Sequence, residues 1–484
     1  MTEAAQLRRL IRRWQRGRAS LSWRDLAGDA YVAALAAVMV GAMGVNVVLG
    51  LRGMGDAACV GTCGVLRPLL PWLCVPAVAA LALGLARLLG PISCSPAVSS
   101  WLLGAPVDRG ELLRPVWRRL VLAAAVGPVL LLAAPALLGG LGVTGVLTLA
   151  MASSAVGLVG VTAAACSQVR EHRLAQWLTW AVVGTVVVLG ALVAGGALTR
   201  VPSVPTCVGV ALAVLALAVA AALAWRVRQL LALVPERVLR GADRLPAALS
   251  GALGALDLGL LYDVLLARRW GRGARVRSLT GGPGGWWALV HRDLLRARRT
   301  PQPLVLLAGL AVLPYLAAQL GAGRAVVLVT VVAGVVVGPA LCAGLRVVVR
   351  TEGLARMLPF SRQAVLAAHA LVPAGALLAY GLVSSGALVG TMPTAEAVVV
   401  GAASGFSALA ASIRWVVARP PDYDQPMVST PAGAVPPGVV ASVVRGFDVA
   451  ALTAFPLVLG GLGIVLSAAL SLAVIWWVLG RPRR

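Results

Sequence analysis

The sequence predicts an all-α, polytopic membrane protein with about twelve transmembrane helices in two parallel six-helix repeats. Three observations predict it. The chain has 484 residues, of which 60% are hydrophobic and only 12% charged, whereas charged residues make up roughly a quarter of a soluble chain. Apolar runs of about 20 residues, enough to cross a bilayer, recur along it. Two short polar stretches, Leu102–Arg114 and Leu354–Leu366, look like copies: each carries Pro-x-(Asp/Ser)-Arg and leads into a long apolar run.

The net charge of +25 comes from arginines that flank apolar runs and do not build one domain or stripe. That is the charge bias of cytoplasmic loops, and nucleic acid is not an expected partner. All 42 basic residues are arginine. A Walker A loop needs a lysine to reach the terminal phosphates, so the chain is not expected to be a P-loop ATPase on its own.

Residues 1–30 open the chain as a basic, amphipathic, interfacial helix. Leu7, Leu10, Ile11 and Trp14 form its apolar stripe, and Arg8, Arg9, Arg12, Arg13 and Arg16 lie around the rest. A plain topology-fixing basic flank is the alternative. The first six-span half is read over 31–225, with spans near Tyr31–Leu51, Leu69–Leu89, Leu120–Leu141, Gly145–Cys166, Trp177–Leu198 and Cys207–Trp225. The loop Gly90–Arg119, on the expected cytoplasmic side, holds the first organising stretch. Trp177, Trp180 and Trp225 fall at or near cytoplasmic span ends, where indole rings favour the headgroup level.

A cytoplasmic connector is read over 226–302. It closes with a second amphipathic segment in which Trp286, Trp287, Val290 and Leu294 lie among His291, Arg292, Arg296, Arg298 and Arg299. The second half, 303–484, repeats the pattern with spans near Pro303–Leu320, Ala325–Leu345, Ala364–Val389 and Ala395–Val417. The apolar run Val449–Gly480 is too long for one upright helix. With Gly460, Gly461 and Gly463 near its middle, it reads as a hairpin of two short spans, or as one tilted helix. On this topology only Arg52, Arg67, Arg200 and Arg324 face outside. Both termini are cytoplasmic, and the cell membrane is the expected location.

Catalytic constellations are weak. The seven cysteines include no Cys-x-x-Cys pair. Cys59 and Cys63 share a short loop placed outside, where a disulfide persists; two free thiols are the alternative. His369 is the clearest ionisable residue within a span, and it reads as a hydrogen-bonding group near a helix end and not as a proton relay. Glu396 sits at the outer end of its span. A rhomboid-like dyad would need Ser384, Ser385 or Ser404 beside His369. Asp422 and Asp424 read as solvated carboxylates in a Pro-rich loop, and no HExxH motif occurs. No cofactor, metal or enzymatic activity is expected.

The layout resembles the ABC-2 type transporter permeases: an elbow helix, two spans, a cytoplasmic coupling loop and four more spans in each half. Pro106-Val107-Asp108-Arg109-Gly110-Glu111-Leu112 and Leu358-Pro359-Phe360-Ser361-Arg362 look like the leucine-proline-x-serine-arginine segment of that family's coupling region. The resemblance implies a permease subunit of an exporter, driven by a separate ATPase, two copies of it, docking near 100–118 and 350–363. Pro106, Asp108, Arg109, Glu111, Pro359, Ser361 and Arg362 would be its contact residues. The loop 419–448 is longer and richer in proline than its counterpart near 167–176, a departure that leaves the cargo open. Two rivals stay beside this reading. An ion-coupled secondary carrier predicts gradient-driven transport blocked at His369, and a non-transporting scaffold or assembly factor predicts no ATPase partner.

Overall fold

The computed structural model describes residues 41–46, 62–92, 108–170, 174–195, 205–236, 282–351, 356–418 and 444–480, together with 428–430, 433–435 and scattered positions elsewhere. Most of the expected interfacial helix of 1–30, of the connector and of the Pro-rich loop lies outside the described residues; within the expected span Tyr31–Leu51, residues 41–46 are helical and exposed. The described chain is helical apart from one short antiparallel hairpin, β1 (Val428–Thr430) with β2 (Gly433–Val435). Ten helices among the described residues are long and apolar enough to cross a membrane. The chain is thus a multi-pass helical membrane protein. It divides into two compact units, Met1–Val186 with Leu198–Leu249, and Val187–Ala197 with Ser250–Arg484.

In the first unit, α1 (Thr62–Leu89), α2 (Arg109–Gly139), α3 (Val143–Arg170), α4 (Leu174–Ala194, of which 187–194 belong to the second unit) and α5 (Thr206–Leu230) follow one another. Helix α2 starts well before its expected apolar run, because its first three turns are basic and extend the helix beyond the lipid-soluble part. Helix α3 is the hub and packs on α1, α2 and α5. More than half of its apolar window is buried, against less than a quarter for those three neighbours. Small residues make this possible, since lipid supplies no hydrophobic drive and close van der Waals approach must replace it. At Gly157 a Cβ would run into the carbonyl of Ala124 and the ring of Pro128 on α2. Trp117 is buried between α2 and α5 and donates its indole N–H to the Ala224 carbonyl at 3.1 Å. Arg67, one of the arginines expected outside, donates from Nε to the Leu138 carbonyl at 2.8 Å. It thereby serves an unpaired carbonyl in the last turn of α2.

The second unit begins with α6 (Trp287–Arg299), the amphipathic segment of the connector. The seventh expected span is broken into α7 (Gln302–Leu310) and α8 (Val312–Gln319). Pro314 has no N–H to offer the Leu310 carbonyl, and the helix interrupts at Ala311. Helix α9 (Val326–Leu341) gives way to α10 (Ala343–Arg350) at Cys342, then come α11 (Arg362–Ser384) and α12 (Thr394–Val417). Helix α12 is the second hub, packing on α9 and α11 and on the two last helices, α13 (Phe447–Leu459) and α14 (Leu462–Gly480). Gly405 lies against the Leu377 carbonyl of α11, while Gly381 and Gly401 meet backbone to backbone.

The last apolar run is a helical hairpin. Gly446 lies against Ala411 and Trp415, and Gly460 lies beside Glu396, so α13 runs antiparallel to α12. Ser407 faces Ser467 and Ser471 at 3.3 and 3.5 Å, and Arg414 stacks over Trp477, so α14 runs parallel to α12. The reversal uses Gly460 and Gly461, both at positive φ (75° and 54°), a region that side chains disfavour. At this end Arg324 donates to the Leu459 carbonyl at 3.1 Å, so both described arginines expected outside cap a helix C-terminus.

Candidate functional site

Polar chemistry concentrates at two helix starts and one buried cluster. The first start is α2. Asp108 is its N-cap, and one carboxylate oxygen accepts the Gly110 N–H at 2.9 Å. Gly110 keeps this turn open, since a Cβ would crowd both that oxygen and Ala232. Glu111 sits in the first turn, where the helix dipole favours an acid, and meets Arg114 at 3.5 Å. Its other oxygen is buried with no hydrogen-bond partner among the described residues. Arg109 reaches Glu236 at 3.4 Å, with both side chains partly exposed, a pair of little energetic weight. Pro106 lies outside the described residues.

The second start is α11. Ser361 is its N-cap, and its hydroxyl accepts the Ala364 N–H at 3.3 Å. Pro359 and Ser361 are exposed and Arg362 is half-buried. The shared pattern Pro-x-(Asp/Ser)-Arg therefore has a local physical meaning in both places. The Asp or Ser satisfies an orphan N–H of a long spanning helix, and the arginine is the first helical residue. The two starts belong to different units.

The buried cluster was not legible as such in the sequence. Asp293, on α6, is almost wholly buried. Its Oδ2 lies 2.8 Å from Nδ1 of His369, on α11, and its Oδ1 lies 3.4 Å from Nε of Arg296. Arg296 also donates to the Leu341 carbonyl at the end of α9 at 3.1 Å. Gly344, in the first turn of α10, closes the site; a Cβ there would run into the Asp293 carboxylate. Next to the cluster, the Trp286 indole donates to the Ala364 carbonyl at 2.6 Å. The inner face of α6 is thus tied to α9, α10 and the first two turns of α11. Its outer face exposes Trp287, Arg292, Leu294 and Arg298.

One sequence signal for Asp293 existed. It is the lone acid on a basic helix, three residues before Arg296 and on the side opposite the Trp287–Leu294 edge. The expectation that His369 is a hydrogen-bonding residue near a helix end matches its pairing, and its partner was the missing part. Ser384 and Ser385 lie about four turns further along α11. Ser385 and Ser404 donate back to carbonyls of their own helices. Glu396 sits in the first turn of α12 beside Gly460. Cys63 falls in the first turn of α1, but Cys59, Asp422 and Asp424 lie outside the described residues, and with them the expected Cys59–Cys63 bridge. Among the described residues no group of three or more His, Cys, Asp or Glu side chains is placed to hold a metal ion.

A family model described as a family of unknown function, DUF6297, matches residues 63–426, about three quarters of the chain. No curated protein and no solved structure matches.

Proposed function

We infer that this chain, which belongs to the DUF6297 family, is the permease subunit of an ABC-type exporter. On this reading it has about twelve spans in two homologous halves, lies in the cell membrane with both termini in the cytoplasm, and is driven by a separate ATPase, in two copies, that docks on the segments near 100–118 and 350–363. The observation that carries the reading is the pair of matched helix starts. Asp108 and Ser361 cap α2 and α11 at corresponding places. In each case the carbonyl 16 residues after the cap, Ala124 or Leu377, seats a glycine of the hub helix, Gly157 or Gly405. Each hub also packs on the span before the capped helix and on the last helix of its half. Duplicated bundles with rigid, polar helix starts are what two identical ATPase subunits would engage.

The test is affinity capture of the C-terminally tagged chain from native membranes in mild detergent, wild type against Arg109→Ala plus Arg362→Ala. Alanine removes both charges without setting a new acid against Glu236. A nucleotide-binding subunit retained by wild type and lost from the double variant supports the reading. Its absence from the wild-type capture overturns it.

A further inference from the structure

We propose that α6 is a binding site for anionic phospholipid: Arg292 and Arg298 on its outer face take the phosphate headgroups, while Trp287 and Leu294 sit against the acyl chains. This goes beyond the exporter reading and does not depend on an ATPase partner.

The position of α6 is the first argument. Trp286, its N-cap, donates to the carbonyl of Ala364 in the first turn of α11, and Arg296 donates to the carbonyl of Leu341, the last residue of α9. Along a helix these two contacts are about 15 Å apart. Both fall where an apolar spanning helix begins or ends, so α6 lies across the end of the bundle and not along it. That is the level at which lipid headgroups meet a membrane protein. The Asp293 carboxylate, held beside Arg296 and against Gly344, fixes the roll of the helix. With that side turned inward, the opposite side is held outward.

The outer side has two edges. Trp287 and Leu294 stand two turns apart on one of them, 58% and 56% exposed, with Arg298 one turn beyond Leu294. Arg292 and Arg299, both exposed, stand two turns apart on the other, roughly 140° around the helix. The helix carries four arginines and one acid, and the acid is the buried Asp293. The outer surface therefore presents positive charge alone, and among the described residues no carboxylate pairs with Arg292 or Arg298. Water solvates the arginines but not the indole and the leucine beside them. Lipid at the interface satisfies both. A guanidinium is a planar donor that fits a phosphate with two parallel hydrogen bonds, and indole and leucine side chains are stable at the boundary of headgroup and acyl chain. Arg298 reaches the headgroups from the apolar edge by laying its stem along it. Nucleic acid would meet the charge and leave the apolar edge in water.

The test uses the full chain in phosphatidylcholine vesicles that contain a trace of phosphatidylglycerol with a photoreactive group in its headgroup. Phosphatidylcholine carrying the same group is the neutral control. After illumination, the label on 287–299 is measured by peptide mass spectrometry. Phosphatidylglycerol is expected to label this stretch at least about fivefold more than phosphatidylcholine, the gain of one arginine near an anionic surface, and added salt should narrow the difference. Arg292→Gln plus Arg298→Gln should bring the two labels level. Arg226→Gln plus Arg228→Gln removes the same charge from exposed positions at the end of α5 and should leave the preference at 287–299 in place. Equal labelling by the two lipids in the wild type overturns the site. So does a preference that survives the α6 double variant, or one that falls as far in the α5 variant. A stretch labelled by neither lipid is covered by protein, which overturns the site as well. Should a variant not fold, the comparison of the two lipids on the wild type still decides.

Discussion

Gly344 faces Asp293 at a distance that admits hydrogen and nothing larger. Gly344→Ala is therefore expected to push α10 away from the carboxylate and to cost about 1–3 kcal/mol, read as a lower midpoint in detergent thermal melts. An unchanged midpoint would mean that α10 yields freely. The caps make a milder and paired prediction. Asp108→Ala and Ser361→Ala should each cost about 1 kcal/mol, while Asp108→Asn and Ser361→Thr should cost less, because they keep an acceptor. At this scale the sequence was partly legible. The two Pro-x-(Asp/Ser)-Arg stretches stood out as repeated, and their capping role follows from residue type and position. Asp293 did not stand out, because its partner His369 is 76 residues away and no local periodicity records that pairing. Among five basic neighbours, one acid reads as a solvated charge until the helix is placed.

The spanning elements follow from hydropathy. A run of about 20 apolar residues has few alternatives to a helix where the bilayer offers no hydrogen bonds. For that reason the second to sixth and the eighth to tenth expected spans reappear, the third starting eleven residues early at Arg109 and the others with smaller shifts at their ends. The shifts occur where a basic turn continues the helix, as at Arg109, or where local backbone chemistry stops it, as at Cys342. Hub helices could not be separated from peripheral ones in the same way. Helices α12 and α14 are both largely apolar, and apart from Glu396 and Arg414 near the ends of α12 it is their glycine and serine positions that set them apart. The hubs give the element-scale prediction. Gly157→Val and Gly405→Val would each drive a side chain into a neighbouring backbone carbonyl. Each is expected to abolish stable expression of the full chain in membranes, whereas Gly184→Val and Gly209→Val, at positions with open space around the Cβ, should be tolerated. Equal expression of all four variants would contradict the packing described for α3 and α12.

For the whole molecule, the proposed topology makes a prediction of its own. Alkaline phosphatase fused after Gly323 or after Gly461 should be active, since both positions are placed outside the cell, and fusions after Thr351 or Arg484 should be inactive. The reverse pattern would invert the protein in the membrane and move both capped helix starts away from any cytoplasmic ATPase. The C-terminal hairpin carries a further consequence. Helix α13 has 13 residues and rises only about 20 Å, yet it exposes Leu452, Phe455 and Leu459 along one side, and the hydrocarbon layer is about 30 Å thick. Acyl chains next to that face must shorten, splay or be replaced by water. The protein would then impose a local dimple on its bilayer, and lipids with short tails should gather beside α13.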